Sequence, residues 1–267
     1  MDLRGVGPHT ARPEELRALV REVVDTNTAE PFGAYVFAYD EPGAEIGRVL
    51  EQEVFLEAFG NTTAQLADEY DAYESSSVFF CVIDHRRATT AGVMRMILPT
   101  EHGPGLKSLV DLEPGWGKPA GELFAAAGLD LEISRTWDIA TLAVAPEYRS
   151  AASAGLVSLG LYQGFVRTAG RVGIESLVTI LDHVAFRMLR LRVRVPFIAL
   201  AEGQPYLGSR LSIPALVQLL SWRERLSRMD PELLGVIFEG RGIEPALRPI
   251  DLDGAAACVW RSMATRR

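Results

Sequence analysis

Residues 137–155 read WDIATLAVAPEYRSAASAG and bring a carboxylate, an arginine and a run of small residues close together. Asp138 stands beside Trp137 at the start of an apolar run. Partial desolvation there would raise its pKa and suit it to accept a proton from an amine. The structural alternative is a strand-edge carboxylate in water. Arg149, followed by Ser150, Ala152, Ala154 and Gly155, forms a small-residue loop ahead of a helical pattern. Free backbone N–H groups at a helix start make such a loop an anion site for a phosphate or a pantetheine arm.

Asp68 and Asp71 are three residues apart at a helix end. They could hold an ammonium group, or form a solvated acidic face. Arg95 shares a strand face with Val93 and Ile97 and is a candidate partner for Asp71. His183 follows an apolar strand pattern, where it is either a proton carrier or a helix-start histidine. His9, His85 and His102 have no metal spacing with each other or with Cys81 and Cys258, so no metal centre is expected. Neither cysteine lies in a nucleophile motif and no Gly-x-Ser-x-Gly elbow is present, which points away from a covalent enzyme intermediate.

These residues need elements to position them. Helical spacing predicts helices over 13–26, 44–59, a third capped by Asn61 or Thr62, 120–127, 153–169, 182–191, and one starting at Ser212 and carrying Leu216, Leu219, Leu220 and Leu226. Apolar runs predict strands over 32–40, 77–84, 91–98, 137–145, 174–181 and 195–201. Residues 233–238 and 255–260 read equally as strand or helix. Residues 99–119, rich in Pro and Gly, read as a long irregular loop bordering the site. The expected class is α/β (α+β), with a mostly antiparallel mixed central sheet flanked by helices. The expected organisation is a helical extension over 1–30, a core over 31–205, and a segment over 206–267 that completes the same domain.

The chain has 267 residues with net charge -8, which excludes a general nucleic-acid binder. Two distant cysteines suit a reducing cytoplasm. No run approaches the ~20 apolar residues of a membrane span, and the N-terminus lacks a signal-peptide core. Against that acidic balance, Arg187, Arg190, Arg192 and Arg194 cluster after the strand at 174–181, with Arg167 and Arg171 nearby. They either dock an acidic partner or pair with acids such as Glu175.

The strand–loop–helix LAVAPEYRSAASAG resembles the GNAT acyltransferase superfamily, whose loop runs Gln/Arg-x-x-Gly-x-Gly/Ala. Arg149 takes the first position, Ala152 stands where Gly is usual, and Ala154 takes the last. A narrower likeness covers about residues 50 to 205. Phe55, Asp68-Glu69-Tyr70-Asp71, Gly92 to Thr100 with Arg95, and Trp137-Asp138 resemble the autoinducer (acyl-homoserine-lactone) synthases and the long-chain N-acyl amino acid synthases. Glu51 and Thr141 depart from it, standing where that family carries arginines tied to S-adenosylmethionine.

The resemblance implies an N-acyltransferase, with acyl-coenzyme A or acyl carrier protein as donor substrate and no permanently bound cofactor. The acceptor would be a small-molecule or peptide amine, and the basic cluster would meet acyl carrier protein. Leu142, Ala143 and Val144 would pair with the donor's pantetheine arm. Asp68, Asp71, Arg95 and Trp137 would face the acceptor, with Asp138 and His183 moving protons. Leu189 stands where many superfamily members carry a tyrosine acid. The competing expectation is a GNAT-like domain that binds an acyl ligand or a partner without turnover.

Overall fold

The computed structural model describes residues 13–100, 103–149 and 155–264. In chain order the helices are α1 (Pro13–Val23), α2 (Pro42–Phe59), α3 (Thr63–Tyr70), α4 (Lys107–Val110), α5 (Leu112–Trp116), α6 (Ala120–Ala127), α7 (Leu156–Val172), α8 (His183–Arg192), α9 (Leu219–Met229), α10 (Pro231–Glu239) and α11 (Leu252–Ala264). The strands are β1 (Phe32–Ala38), β2 (Ser77–Asp84), β3 (Thr89–Ile97), β4 (Thr136–Val144), β5 (Ser176–Asp182), β6 (Ile198–Ala199), β7 (Gln204–Tyr206), β8 (Ser209–Gln218) and β9 (Leu247–Arg248).

One sheet runs in the order β6-β8-β5-β4-β3-β2-β1-β9, with β7 paired to β8. Neighbours are antiparallel except β4 with β5 and β1 with β9. This is the expected mostly antiparallel mixed sheet. Strand β2 is buried at every position and β3 at all but its first two, so both read as continuous apolar runs. Helices α2 and α3 cover one face; α7 and α11 pack on the other. Phe79 and Val93 face α2, while Phe80 and Trp137 pack on the opposite side with centroids 6.2 Å apart and ring planes at 44°.

Local rules account for most boundaries. Thr62 caps α3 through a capping box with Gln65, and Asp182 caps α8 by accepting from the Val184 N–H. Gly47 lets α2 approach the sheet closely: an added Cβ would come within 3.1–3.3 Å of Val93, Phe79 and Cys81. Glu51, one turn later, is thereby carried onto the sheet surface.

Three expectations are corrected. Ser212 lies in strand β8, between β5 and β6, and the helix begins only at Leu219. The leucine spacing holds for Leu219, Leu220 and Leu226 in the helix, but Leu216 lies in β8, buried between Val178 of β5 and Ile198 of β6. Pro214 fits because its carbonyl still accepts from Leu200 N at 2.9 Å. Residues 99–119 are less irregular than expected, since α4 and α5 bury Leu106, Lys107, Ser108 and Leu112 against the sheet. The strand expected over 195–201 shrinks to the two residues of β6. The two ambiguous segments fall within α10 and α11.

Candidate functional site

The site is built on a fork. Strands β4 and β5 pair only at Thr136↔Ser176, Trp137↔Leu177 and Asp138↔Val178. Beyond these, β4 stays with β3 as far as Val144, and β5 stays with β8 as far as Asp182. The β3–β4 register steps from Arg95↔Thr141 to Met96↔Ile139, leaving Ala140 as an extra, bulged residue. The Thr179 hydroxyl donates to the Ile139 carbonyl at 2.8 Å, where the ladder stops.

Cavities lie on both sides of the fork. A cleft of about 100 Å³ is lined by Phe55, Tyr70, Thr141, Asp182, Tyr206 and Ser212 among others. A smaller cavity, about 30 Å³, has Met94, Phe165, Phe197 and Trp222 in its apolar wall. Ile139, Leu142 and Leu181 line both and form the partition between them. A wider groove of about 600 Å³ lies at the paired end of β5, beside α9. It is larger but far from the fork, and its Arg135 and Glu175 pair with each other at 2.7 Å. We therefore place the site at the fork.

Two buried polar networks adjoin the cleft. In the first, Arg95 donates to both oxygens of Glu51 (3.0 and 2.6 Å) and to Glu74 (2.6 Å). The Thr141 hydroxyl donates to Glu51 as well. The guanidinium lies 4.5 Å from the Tyr70 ring centroid and 4.6 Å from that of Phe79. Burial alone would lower the Arg95 pKa, but Glu51 and Glu74 outweigh it and hold the proton. Burial would raise the Glu74 pKa; Arg95 and Arg48 reverse this and lower it.

In the second network, Lys107 is buried and bonds to Glu69 and Asp111, and to the Tyr206 hydroxyl at 2.7 Å. The Tyr206 hydroxyl donates to Asp111. Burial and Asp111 push the Tyr206 pKa far upward, and burial and Glu51 do the same to Tyr70. Both phenols therefore stay neutral and act as hydrogen-bond donors.

Asp138 has no exposed surface. Its carboxylate accepts from the Ser108 N–H at 2.6 Å and the Ser108 hydroxyl at 2.7 Å, tying α4 to the sheet. Burial pushes its pKa up to about 6, against the pull of these bonds and of Lys107. The elevated pKa agrees with expectation, but the carboxylate faces α4 and is not part of the cleft wall.

The other expected residues are scattered. Asp68 and Asp71 are exposed; the inward carboxylates on that segment are Glu69 and Glu74. Helical geometry turns alternate acids apart, so the neighbours of the expected pair do the buried work. Arg95 pairs with Glu51 and Glu74 instead of Asp71. Trp137 is fully buried on the opposite face of β4 from Asp138. Leu142 lies in the partition, and Ala143 and Val144 continue β4 along the open fork, paired only to β3.

Arg149 folds back, donating to the Val144 carbonyl at 2.8 Å and reaching Glu57 at 3.2 Å. Ser150, Ala152 and Ala154 lie outside the described residues. His183 is the first residue of α8 and is not part of the cleft wall; its Nδ1 is 3.7 Å from Asp182. The carboxylate in the wall is its neighbour Asp182, which accepts from Val184 N (2.8 Å) and Ser209 Oγ (2.7 Å). Glu51, Glu74, Lys107, Ser108 and Tyr206 were not singled out as participants from sequence. No short motif marks them, since each acts through a partner distant in the chain.

No protein-family model matches the chain, and no curated protein matches it in sequence. Solved structures do match. One is FeeM, an N-acyl amino acid synthase from uncultured soil microbes, at 15% identity and TM-score 0.52, covering 74% of this chain and 96% of that one. Another is BjaI, a CoA-dependent acyl-homoserine lactone synthase solved with SAM and isopentyl-CoA, at 13% identity and TM-score 0.50, covering 84% and 97%. TofI, solved in a ternary complex with an inhibitor and MTA, matches at 18% identity and TM-score 0.50, covering 75% and 99%. The mostly antiparallel sheet of this chain, flanked by helices, is thus a fold that it shares with these proteins.

Proposed function

We propose that the protein is an N-acyltransferase that moves an acyl group from a thioester to an amine bound in the cleft. The observation that carries this reading is the fork, where β4 parts from β5 and a cleft holding Asp182, Tyr70 and Tyr206 in a largely apolar wall meets a wholly apolar cavity across Ile139, Leu142 and Leu181. The open edge of β4 offers backbone groups to a pantetheine arm. The acyl chain enters the apolar side and the amine approaches from the cleft. The amine nitrogen attacks the thioester carbonyl, and a backbone N–H near the Ala140 bulge holds the oxyanion. As the C–N bond forms and the C–S bond breaks, the nitrogen loses a proton and the thiolate gains one. We assign the first transfer to Asp182, because Asp138 is enclosed by Ser108.

The test is thiol release and product mass with acyl thioesters and an amine panel. Leu142→Trp, which fills the partition, is expected to cut turnover about 100-fold by displacing the reacting groups, with the circular dichroism spectrum unchanged. Saturable binding of acyl ligands without any thiol release would favour the non-catalytic alternative.

The donor we favour is acyl carrier protein. Helix α8 begins where β5 ends, and its Ala185 lines the cleft. Its exposed face carries Arg187, Arg190 and Arg192 beside Val184 (62% exposed), Met188 and Leu191 (61%). Among the described residues these three arginines have no acidic partner; Glu175 is paired to Arg135 instead. A cationic rim around apolar side chains suits an acidic carrier. Arg190→Glu with Arg192→Glu is expected to raise KM for an acyl carrier protein donor about tenfold and leave KM for acyl-coenzyme A unchanged. Equal rises for both donors would remove the docking role.

A further inference from the structure

We infer that the cleft takes an amine that carries no carboxylate, with Asp182 as the partner of its ammonium group. This deepens the acyltransferase reading and rests on the cleft being the acceptor subsite. Among the described residues the cleft wall contains no lysine, arginine or histidine, and its one charged side chain is Asp182. Three nearby cations are committed elsewhere, and Arg187, Arg190 and Arg192 lie on the exposed face of α8, outside the wall. Arg95 is held by Glu51 and Glu74 behind Tyr70 and Thr141, and Lys107 by Glu69 and Asp111 behind Tyr206. Arg149 is engaged with Glu57 and the Val144 carbonyl.

An acceptor carboxylate would enter such a cleft without a counter-ion, facing Asp182 and π-faces. Desolvation and like-charge repulsion both oppose it. An ammonium group meets the reverse situation. Each Asp182 oxygen already accepts one bond, from Val184 N or Ser209 Oγ, and keeps a lone pair for a further donor. Phe55, Phe59 and Leu207 supply apolar surface for the rest of the molecule.

The experiment uses pairs that differ only in the carboxylate: 1,4-diaminobutane with ornithine, and phenethylamine with phenylalanine. Each is titrated calorimetrically into the full chain, with and without a saturating acyl-thioether analogue of coenzyme A. The amine of each pair is expected to bind at least tenfold more tightly than its amino acid. Equal affinity, tighter binding of the amino acids, or binding of neither member would overturn the inference. Asp182→Asn, which keeps the acceptor for Val184 N, is expected to erase the preference; if that variant does not fold, the wild-type comparison decides. Selective amine binding with no acylation by any donor would uphold the acceptor rule and remove the acyltransferase reading, so the two failures are distinguishable.

Discussion

Arg95→Leu is expected to destabilise the protein by about 3–5 kcal/mol, the cost of removing one partner of a buried ion pair. Glu51 is 1% exposed and Arg95 4%, so the stranded Glu51 carboxylate cannot be rescued by water. Thr141 alone would remain to satisfy it. Arg48→Leu is the control. Arg48 also binds Glu74, but both side chains are partly solvated, and a loss of about 1 kcal/mol is expected. Replacing Arg95 and Glu51 together with leucine should recover most of the loss, because no uncompensated charge stays at the strand. Urea denaturation of the three variants measures this. An Arg95→Leu cost no larger than that of Arg48→Leu would show that the network is solvated.

The second large effect is a pH dependence that belongs to Asp138. Its pKa is about 6 in the folded chain against 3.8 for the free side chain, and burial is the chief cause. The folded state therefore holds this proton more tightly than the unfolded state. The stability linked to that proton is complete below about pH 4 and is lost as pH rises through 6, amounting to about 3 kcal/mol. Asp138→Asn removes the titration while still accepting from the Ser108 N–H. The stability of wild type minus that of the variant should fall by about 3 kcal/mol between pH 3 and pH 7.5. Taking the difference cancels the other titrating groups, which are common to both proteins. A flat difference would mean that Asp138 titrates as it does in water.

The replacement of Glu51 and Thr141 for the arginines of the resembling synthases acquires a physical meaning in three dimensions. The two positions touch: the Thr141 hydroxyl donates to Glu51, and Glu51 neutralises Arg95. The cluster of Arg95, Glu51, Glu74 and Thr141 is internally balanced. With Arg95 so engaged, the cleft wall holds no lysine, arginine or histidine among the described residues.

Local patterns in the sequence carried the fold class, the strand at residues 136–144, the capping of α3 and α8, and the basic helix after β5. Each depends on neighbours within a turn or on alternation along one strand, so the information is contiguous. Periodicity placed the start of the helix too early: Leu219, Leu220 and Leu226 do lie in α9, but Leu216 belongs to β8, and only the partners β5 and β6 decide where the strand ends. The expected acidic pair is exposed, for a related reason. Asp68 and Asp71 match the motif, but the packing of α3 and the following turn points Glu69 and Glu74 inward. Arg95 meets Glu51 across 44 residues of chain, and Asp138 meets Ser108 across 30. The sequence by itself determined the fold class, most of the helices and central strands, and that ionisable groups lie among them. Tertiary structure alone decided which of those groups are buried, paired or left facing the cleft, because desolvation and ion pairing depend on neighbours that only folding brings together.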